Sequence, residues 1–450
     1  MGLLDPDARV CVGAGQGHLM PADSVRNRVA RNAGALYVVQ LISFLVPVFE
    51  IPILARALGA AQYGQILFCQ ALALTASLLV EYGFNLNAAH QAALVRDQRQ
   101  DLTRLFSQVS LAKGLLAAPL VGLLCLLWVL GLMDAYLGQP ALLLFVLTYF
   151  LAFGFSPMWY FQGREKMAGP ALLDVGLRLC GLGVLALVVR TADDFFLALP
   201  VLAIPPLLNT VLTNGWCLRG LGRLGWDFAG ACRQIREGFH FFVYRSSSTL
   251  VMSAIPVFLG LTSGKQAVGE FAPSEKLIKG MTSLAMPFLS AVFPVFSRHL
   301  AGGGTGLVSA RVPMMVLLGV SVTVLAGTAV AAWVGPWVLD VMLGAGFPGA
   351  HLIYAVLLGV APLRILNQSI AMVLLIPAGH AKSASYVISG FSILGVVLGS
   401  GLSLRYGGVG MAAGLVGVEA ILWVIMLCMA VRVGKQMAQA VDVAGTEGVR

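Results

Sequence analysis

Apolar residues in this chain come in long unbroken blocks, and the polar residues between them come in short ones. Many blocks run to about 20 residues, the length a helix needs to cross a hydrocarbon core. The blocks are continuous and do not alternate apolar with polar. That pattern predicts helices and not barrel strands, since in lipid a helix satisfies its backbone groups within itself. Twelve spans are predicted, at 34–56, 63–84, 107–131, 140–161, 168–190, 195–217, 239–261, 274–297, 312–334, 351–377, 383–404 and 409–431. With 58% of its 450 residues hydrophobic and 11% charged, the chain lies outside the range of soluble domains. The expected fold is an all-α polytopic membrane protein.

A net charge of +9 would suggest nucleic acid in a soluble protein. Here it sorts by loop. Arg9, Arg26, Arg28, Arg31, Arg96, Arg99, Arg104, Arg164, Lys166, Arg219, Arg223, Arg233, Arg236, Arg298, Arg311, Lys382, Arg432, Lys435 and Arg450 fall on one side. The other side holds Arg56, Arg190, Lys265 and Arg405. The positive-inside rule then puts both termini in the cytoplasm, and no nucleic-acid partner is implied. The seven cysteines show no CxxC spacing and the six histidines are scattered, so neither a metal site nor a cofactor is expected. Gly13 to Gly17 reads GAGQG but lacks the flanking strand of a nucleotide loop.

The polar stretch 219–238 divides six spans from six. Short matches cross that divide. PILARALGAAQYG (Pro52 to Gly64) parallels VFLGLTSGKQAVG (Val257 to Gly269), with Gly59 opposite Gly264 and Gly64 opposite Gly269. Gly163, Lys166 and Ala168 parallel Gly379, Lys382 and Ala384. Both matches keep their direction through the membrane, which predicts parallel repeats about an axis along the membrane normal. The expected organisation is a tail (1–31), an N-lobe (32–218), a linker (219–238), a C-lobe (239–432) and a second tail (433–450).

Four stretches carry a family resemblance: Arg31 to Gly64, Val80 to Asp97 with EYGFN, Trp159 to Met167 with WYFQG, and Ser274 to Arg298. They resemble the Wzx-type polysaccharide flippases of the multidrug/oligosaccharidyl-lipid/polysaccharide exporter superfamily. The resemblance implies about twelve helices in two six-helix lobes around a central cavity. It also implies movement of undecaprenyl-pyrophosphate-linked glycan to the periplasmic leaflet of a bacterial inner membrane, with no enzymatic step. Lipid-linked glycan and membrane lipid are the implied partners, along with a polysaccharide polymerase or glycosyltransferases of the same pathway. The chain departs from the family in a longer N-terminal tail and in Arg245, where other members often carry a neutral polar residue.

Ionised groups inside the spans are costly in lipid and mark candidate transport residues. The cations are Lys113, Arg178, Arg245, Lys276, Lys279 and Arg364, against the acids Glu50, Asp174, Glu275 and Glu419. Guanidinium and ammonium groups lining a cavity would hold a pyrophosphate, so these cations are the expected substrate contacts. Glu50, Glu419 and Asp174 are the candidates for ion coupling. Each has a structural alternative. Asp174 with Arg178, and Glu275 with Lys279, stand four apart and are equally able to neutralise each other. Arg245 is placed to snorkel to the surface, and Glu50 and Glu419 to pair with a neighbouring helix. Arg364 and Lys276 have no same-face acid. Trp159, Tyr160 and Phe161 suit an interfacial belt. A cation-coupled drug or metabolite antiporter of the same superfamily is the alternative function, disfavoured by the excess of cations over acids.

Overall fold

The computed structural model describes residues 22–242, 247–301, 307–344 and 346–447, with side chains described over 45–239, 242, 249–283, 315–344 and 346–434. No strand occurs among the described residues. The helices in chain order are α1 (Ala22–Glu81), α2 (Phe84–Leu94), α3 (Arg99–Val129), α4 (Asp134–Leu137), α5 (Pro140–Gly154), α6 (Met158–Gly163), α7 (Ala168–Val188), α8 (Phe195–Gly220) and α9 (Phe228–Phe241). They continue with α10 (Ser247–Ser253), α11 (Ile255–Ala301), α12 (Leu307–Leu343), α13 (Ala350–Leu357), α14 (Val360–Ile370) and α15 (Ala381–Glu447).

Three helices, α1, α11 and α15, are each broken at a glycine. Gly59 in α1 holds φ 72° and ψ 172°, and Gly264 in α11 holds φ 85° and ψ 172°. That corner of backbone space is nearly closed to any residue with a Cβ. The two glycines that the internal match sets opposite each other therefore make the same turn. Gly407 breaks α15 in the same way. Among the described residues eight helices are long and apolar enough to cross a membrane, the longest of them holding two predicted spans each, and the bundle accords with about twelve crossings; the predicted span 239–261 lies partly outside the described residues. Helix starts at Ala22 and runs on to Glu447, so the predicted tail boundaries at 31 and 433 fall inside helices.

The lobes meet where backbones touch. A Cβ built at Gly64 would lie 1.8 Å from the Lys265 carbonyl oxygen, and one at Gly269 would lie 2.1 Å from that of Ala60. In the repeat alignment Ala60 stands opposite Lys265 and Gly64 opposite Gly269, so each lobe makes on the other the contact that it receives. That is the signature of a local two-fold axis. Around this crossing the Tyr136 ring stacks on Phe68 at 3.7 Å and its hydroxyl donates to the Gly260 carbonyl at 2.6 Å. Arg56 donates to the Val341 carbonyl, tying α1 to α12. The main core runs through both lobes here, from Ile51, Phe68 and Phe150 to Leu259, Phe271 and Met411.

A second core closes the arginine-rich end of the N-lobe. Trp159, Tyr160 and Phe161 on α6 are buried with Phe84, Phe106, Cys217 and Leu221. Trp159 is only 2% exposed, so the WYF cluster is neither an interfacial belt nor part of the cavity lining. It locks the hairpin between α6 and α7 against α2, α3 and α8. Nearby, the amide side chains of Gln91 and Gln234 donate to each other at 3.3 and 2.8 Å, docking α9 on α2.

Candidate functional site

The charged groups of the spans fall into three places. The first follows from Pro157. Proline cannot donate and α5 stops at Gly154, so the last carbonyls lose their helical partners. Thr210 Oγ1 donates to the Ala152 carbonyl at 2.5 Å, and Asn214 Nδ2 to that of Phe155 at 3.1 Å. Lys113 Nζ donates to that of Ser156 at 2.9 Å. Lys113, only 3% exposed, has Glu81 as its opposing charge and is committed to this helix break.

The second place lies between the lobes. From the N-lobe, α7 supplies the Arg178–Asp174 ion pair, with Nε to Oδ2 at 2.8 Å, and Asn209 Nδ2 of α8 donates to Asp174 Oδ1 at 3.2 Å. From the C-lobe, α11 supplies Lys279 paired to Glu275 at 2.9 Å. Glu50 of α1 and Lys276 of α11 stand among them. Glu50 is within electrostatic reach of both Lys276 and Arg178, and neither Glu50 nor Lys276 makes a hydrogen bond or close ion pair among the described residues. Tyr149 of α5 shares the field of Glu50, Arg178 and Asp174.

The third place is inside the C-lobe. Arg364 Nε donates to Glu419 Oε1 at 2.9 Å, and Asn367 Nδ2 donates to Glu419 Oε2 at 3.0 Å. The helix that carries Arg364 and Asn367 is interrupted on both sides, by the break at Leu358–Gly359 and by a π turn over Ala371–Leu375. The pair lines a small polar cavity of about 260 Å³ with Thr249, Met252, Gln368 and Ser392. Each lobe therefore holds an arginine on a carboxylate that also accepts from an asparagine. In both, the asparagine carbonyl is buried without a partner among the described residues.

Every expected cation except Arg245, which lies outside the described residues, thus faces a carboxylate. Arg364 and Lys276 looked free in the sequence because their acids come from α15 and α1. Glu81, Asn209, Asn367 and Tyr149 escaped the sequence reading, and the Glu81 carboxylate narrows the apparent excess to six cations against five acids. Periodicity along one helix could have suggested Asn367, three residues after Arg364. The others are brought in by packing between helices. A larger apolar cleft of about 1020 Å³ lies between α11, α12 and α14, lined by Leu277, Met281, Val320 and Ile365, and takes no part in this charge arrangement.

Comparison with known proteins agrees with this architecture. The chain is 26% identical over 408 residues to a putative O-antigen transporter of Escherichia coli (strain K12), covering 88% of this chain and 95% of the relative. It is 22% identical over 406 residues to a putative O-antigen transporter of Shigella dysenteriae, covering 88% and 98%. Among solved structures, the lipid II flippase MurJ in an inward closed conformation superposes with a TM-score of 0.65 at 11% identity, over 90% of both chains. An inward-facing multidrug resistance MATE family transporter of the MOP superfamily gives 0.60 at 13% identity, over 87% of this chain and 95% of that one. At these identities the structural likeness shows the fold. Residues 29–300, more than half of the chain, match the family of polysaccharide biosynthesis proteins, and the chain belongs to that family.

Proposed function

We propose that this protein is a flippase that moves undecaprenyl-pyrophosphate-linked oligosaccharide from the cytoplasmic to the periplasmic leaflet of the inner membrane. The relatives named as transporters and the flippase fold support a transport role and not an enzymatic one. The observation that carries the reading is the charge set between the lobes: Glu50, Asp174 and Arg178 from one, Glu275, Lys276 and Lys279 from the other. A diphosphate entering there competes with carboxylates for Arg178, Lys276 and Lys279, since guanidinium and ammonium groups bind phosphate oxygens strongly. The uncommitted Lys276 is its first contact. The unpaired asparagine carbonyls suit hydroxyl donors on a glycan, while the apolar tail stays in lipid.

The paired arrangement supplies a coupling route. A proton delivered to Glu50, or to Asp174 beside Arg178, frees a cation for the diphosphate, and loss of that proton returns the cation to its carboxylate and expels the ligand. A gradient can drive transport only by favouring one facing of the cavity over the other, and a titrating acid that competes with substrate does so. Glu419 bears the same relation to Arg364 within the C-lobe. Both termini in the cytoplasm, lobes of 32–218 and 239–432, and Arg245 at the cytoplasmic mouth complete the proposal. A polymerase or glycosyltransferase of the same pathway would deliver or receive the glycan.

An antiporter of organic cations is the second reading, supported by the carboxylates that meet Arg178, Lys279 and Arg364 and would be open to a cationic ligand. Reconstituted proteoliposomes separate the two. Translocation of a polyprenyl-diphosphate glycan across the bilayer, faster under an imposed proton gradient, is the expected result. Organic-cation efflux with no movement of the glycan lipid would replace the flippase by the antiporter.

A further inference from the structure

At the arginine-rich end of the N-lobe, the loop that follows α8 is pinned along one face of α3. Arg99 Nη2 donates to the Leu221 carbonyl at 2.9 Å. The Gly222 amide donates to Thr103 Oγ1 at 3.0 Å, and the Gly225 amide to Ser107 Oγ at 3.3 Å. Gln108 Nε2 closes the row on Asp227 Oδ2 at 2.7 Å. Positions 99, 103 and 107 share one helical face, so α3 presents a matching rung for each step of the loop.

Between this row and the loop lies a cavity of about 650 Å³, lined by Arg99, Thr103, Arg104, Ser107, Arg223 and Trp226 among others. Its charges do not cancel. Arg104 is met by Asp227 at 3.3 Å. Arg99 is bonded only to a neutral carbonyl, and Arg223 has no hydrogen bond or ion pair among the described residues. At the mouth, Trp226 is 83% exposed and stacks on Phe228, also exposed, with Leu224 beside them. Exposed aromatic and aliphatic side chains at the end of a spanning helix belong at the level of lipid headgroups. Two uncompensated guanidiniums there call for an anion with several oxygens, and phosphate satisfies both in bidentate fashion.

We infer that this cavity binds the phosphate-bearing headgroup of a membrane lipid, with its tail leaving past Trp226, Leu224 and Phe228. The ligand chemistry is a phosphate ester on an apolar chain, shared by a glycerophospholipid such as phosphatidylglycerol and by a polyprenyl diphosphate. The site lies apart from the charge set between the lobes. Its existence does not rest on the transport reading, which bears only on which lipid fills it.

The test is native mass spectrometry of the full chain in detergent, titrated separately with phosphatidylglycerol, undecaprenyl diphosphate and an uncharged diacylglycerol. At least one phosphate lipid should bind about tenfold more tightly than diacylglycerol. R223Q, which removes a side chain that makes no hydrogen bond or ion pair among the described residues, should weaken that binding several-fold with the fold retained, and R99Q/R223Q should abolish the preference. R233Q/R236Q, on the outer face of α9, should keep it. A tenfold preference for one phosphate lipid over the other identifies the occupant. Equal binding of all three lipids, or full binding by R99Q/R223Q, would overturn the site. Loss of glycan-lipid transport in the wild-type chain would leave it standing, so the two readings fail separately.

Discussion

Two cations that look alike in the sequence, Lys276 and Arg364, are held differently. Lys276 makes no close pair, whereas Arg364 is fixed on Glu419 at 2.9 Å. Lys276→Met should therefore cut glycan-lipid translocation by about tenfold or more at a smaller cost in thermal stability than Arg364→Ala, because Glu50 loses an opposing charge but no hydrogen bond. Arg364→Ala should instead lower stability by about 3–5 kcal/mol, the cost of stranding a buried carboxylate. Adding Glu419→Gln should restore most of it. A stable Arg364→Ala variant with impaired transport would move Arg364 into the ligand site. At the linker, Asp227 accepts from Gln108, the Gly230 amide and Arg104, which hold its carboxyl below the usual carboxylate range. A depressed pKa in the folded state means that the contribution is complete above the ordinary carboxylate value of about 4 and is lost only as pH falls through the lower folded value. Amide-exchange protection of residues 222–230, corrected for the intrinsic rate, should stay constant from pH 7 down to about pH 4 and fall only below that. Asp227→Asn should flatten the dependence.

Among the elements, the close approach of α1 to α11 is the most demanding feature. No side chain fits at Gly64 or Gly269, where a Cβ would overlap a carbonyl of the opposite lobe. Gly64→Leu should force the helices apart, and a cysteine pair at Gln65 and Lys265, whose side chains meet at 3.4 Å in the native chain, should cross-link readily in wild type and poorly in that variant. Much of this scale was legible in the sequence. Block lengths gave the spans, and Gly59 opposite Gly264 marked equivalent positions of two repeats. What pairs with what was not legible. Helical spacing reveals acids four residues away, as for Arg178 and Lys279. It is silent about Glu419 for Arg364, and Glu81 sat at a predicted span end, where it passed for a loop residue. The WYF cluster misled for a related reason: aromatic residues at a span end satisfy the interfacial pattern equally well when another helix covers them, as α3 does here with Phe106.

For the whole molecule, the proposal that both termini are cytoplasmic rests on the loop charges. A reporter active only in the cytoplasm should work when fused after Arg432, and one active only in the periplasm should be silent there. The cavity also has a polarity that is not electrostatic. Its frame is symmetric, with Gly64 and Gly269 exchanging identical contacts across a two-fold axis as two copies of one chain would. Its chemistry is not. Along the same alignment Glu275, Lys276 and Lys279 stand opposite Gln70, Ala71 and Leu74, and Glu50 stands opposite Ile255. At each of these positions the ionisable group stands in one repeat and a neutral residue in the other. Two equal halves would hold a ligand without preference. A duplicated frame whose halves differ at these sites has a direction, because a ligand crossing it meets different side chains on its two sides.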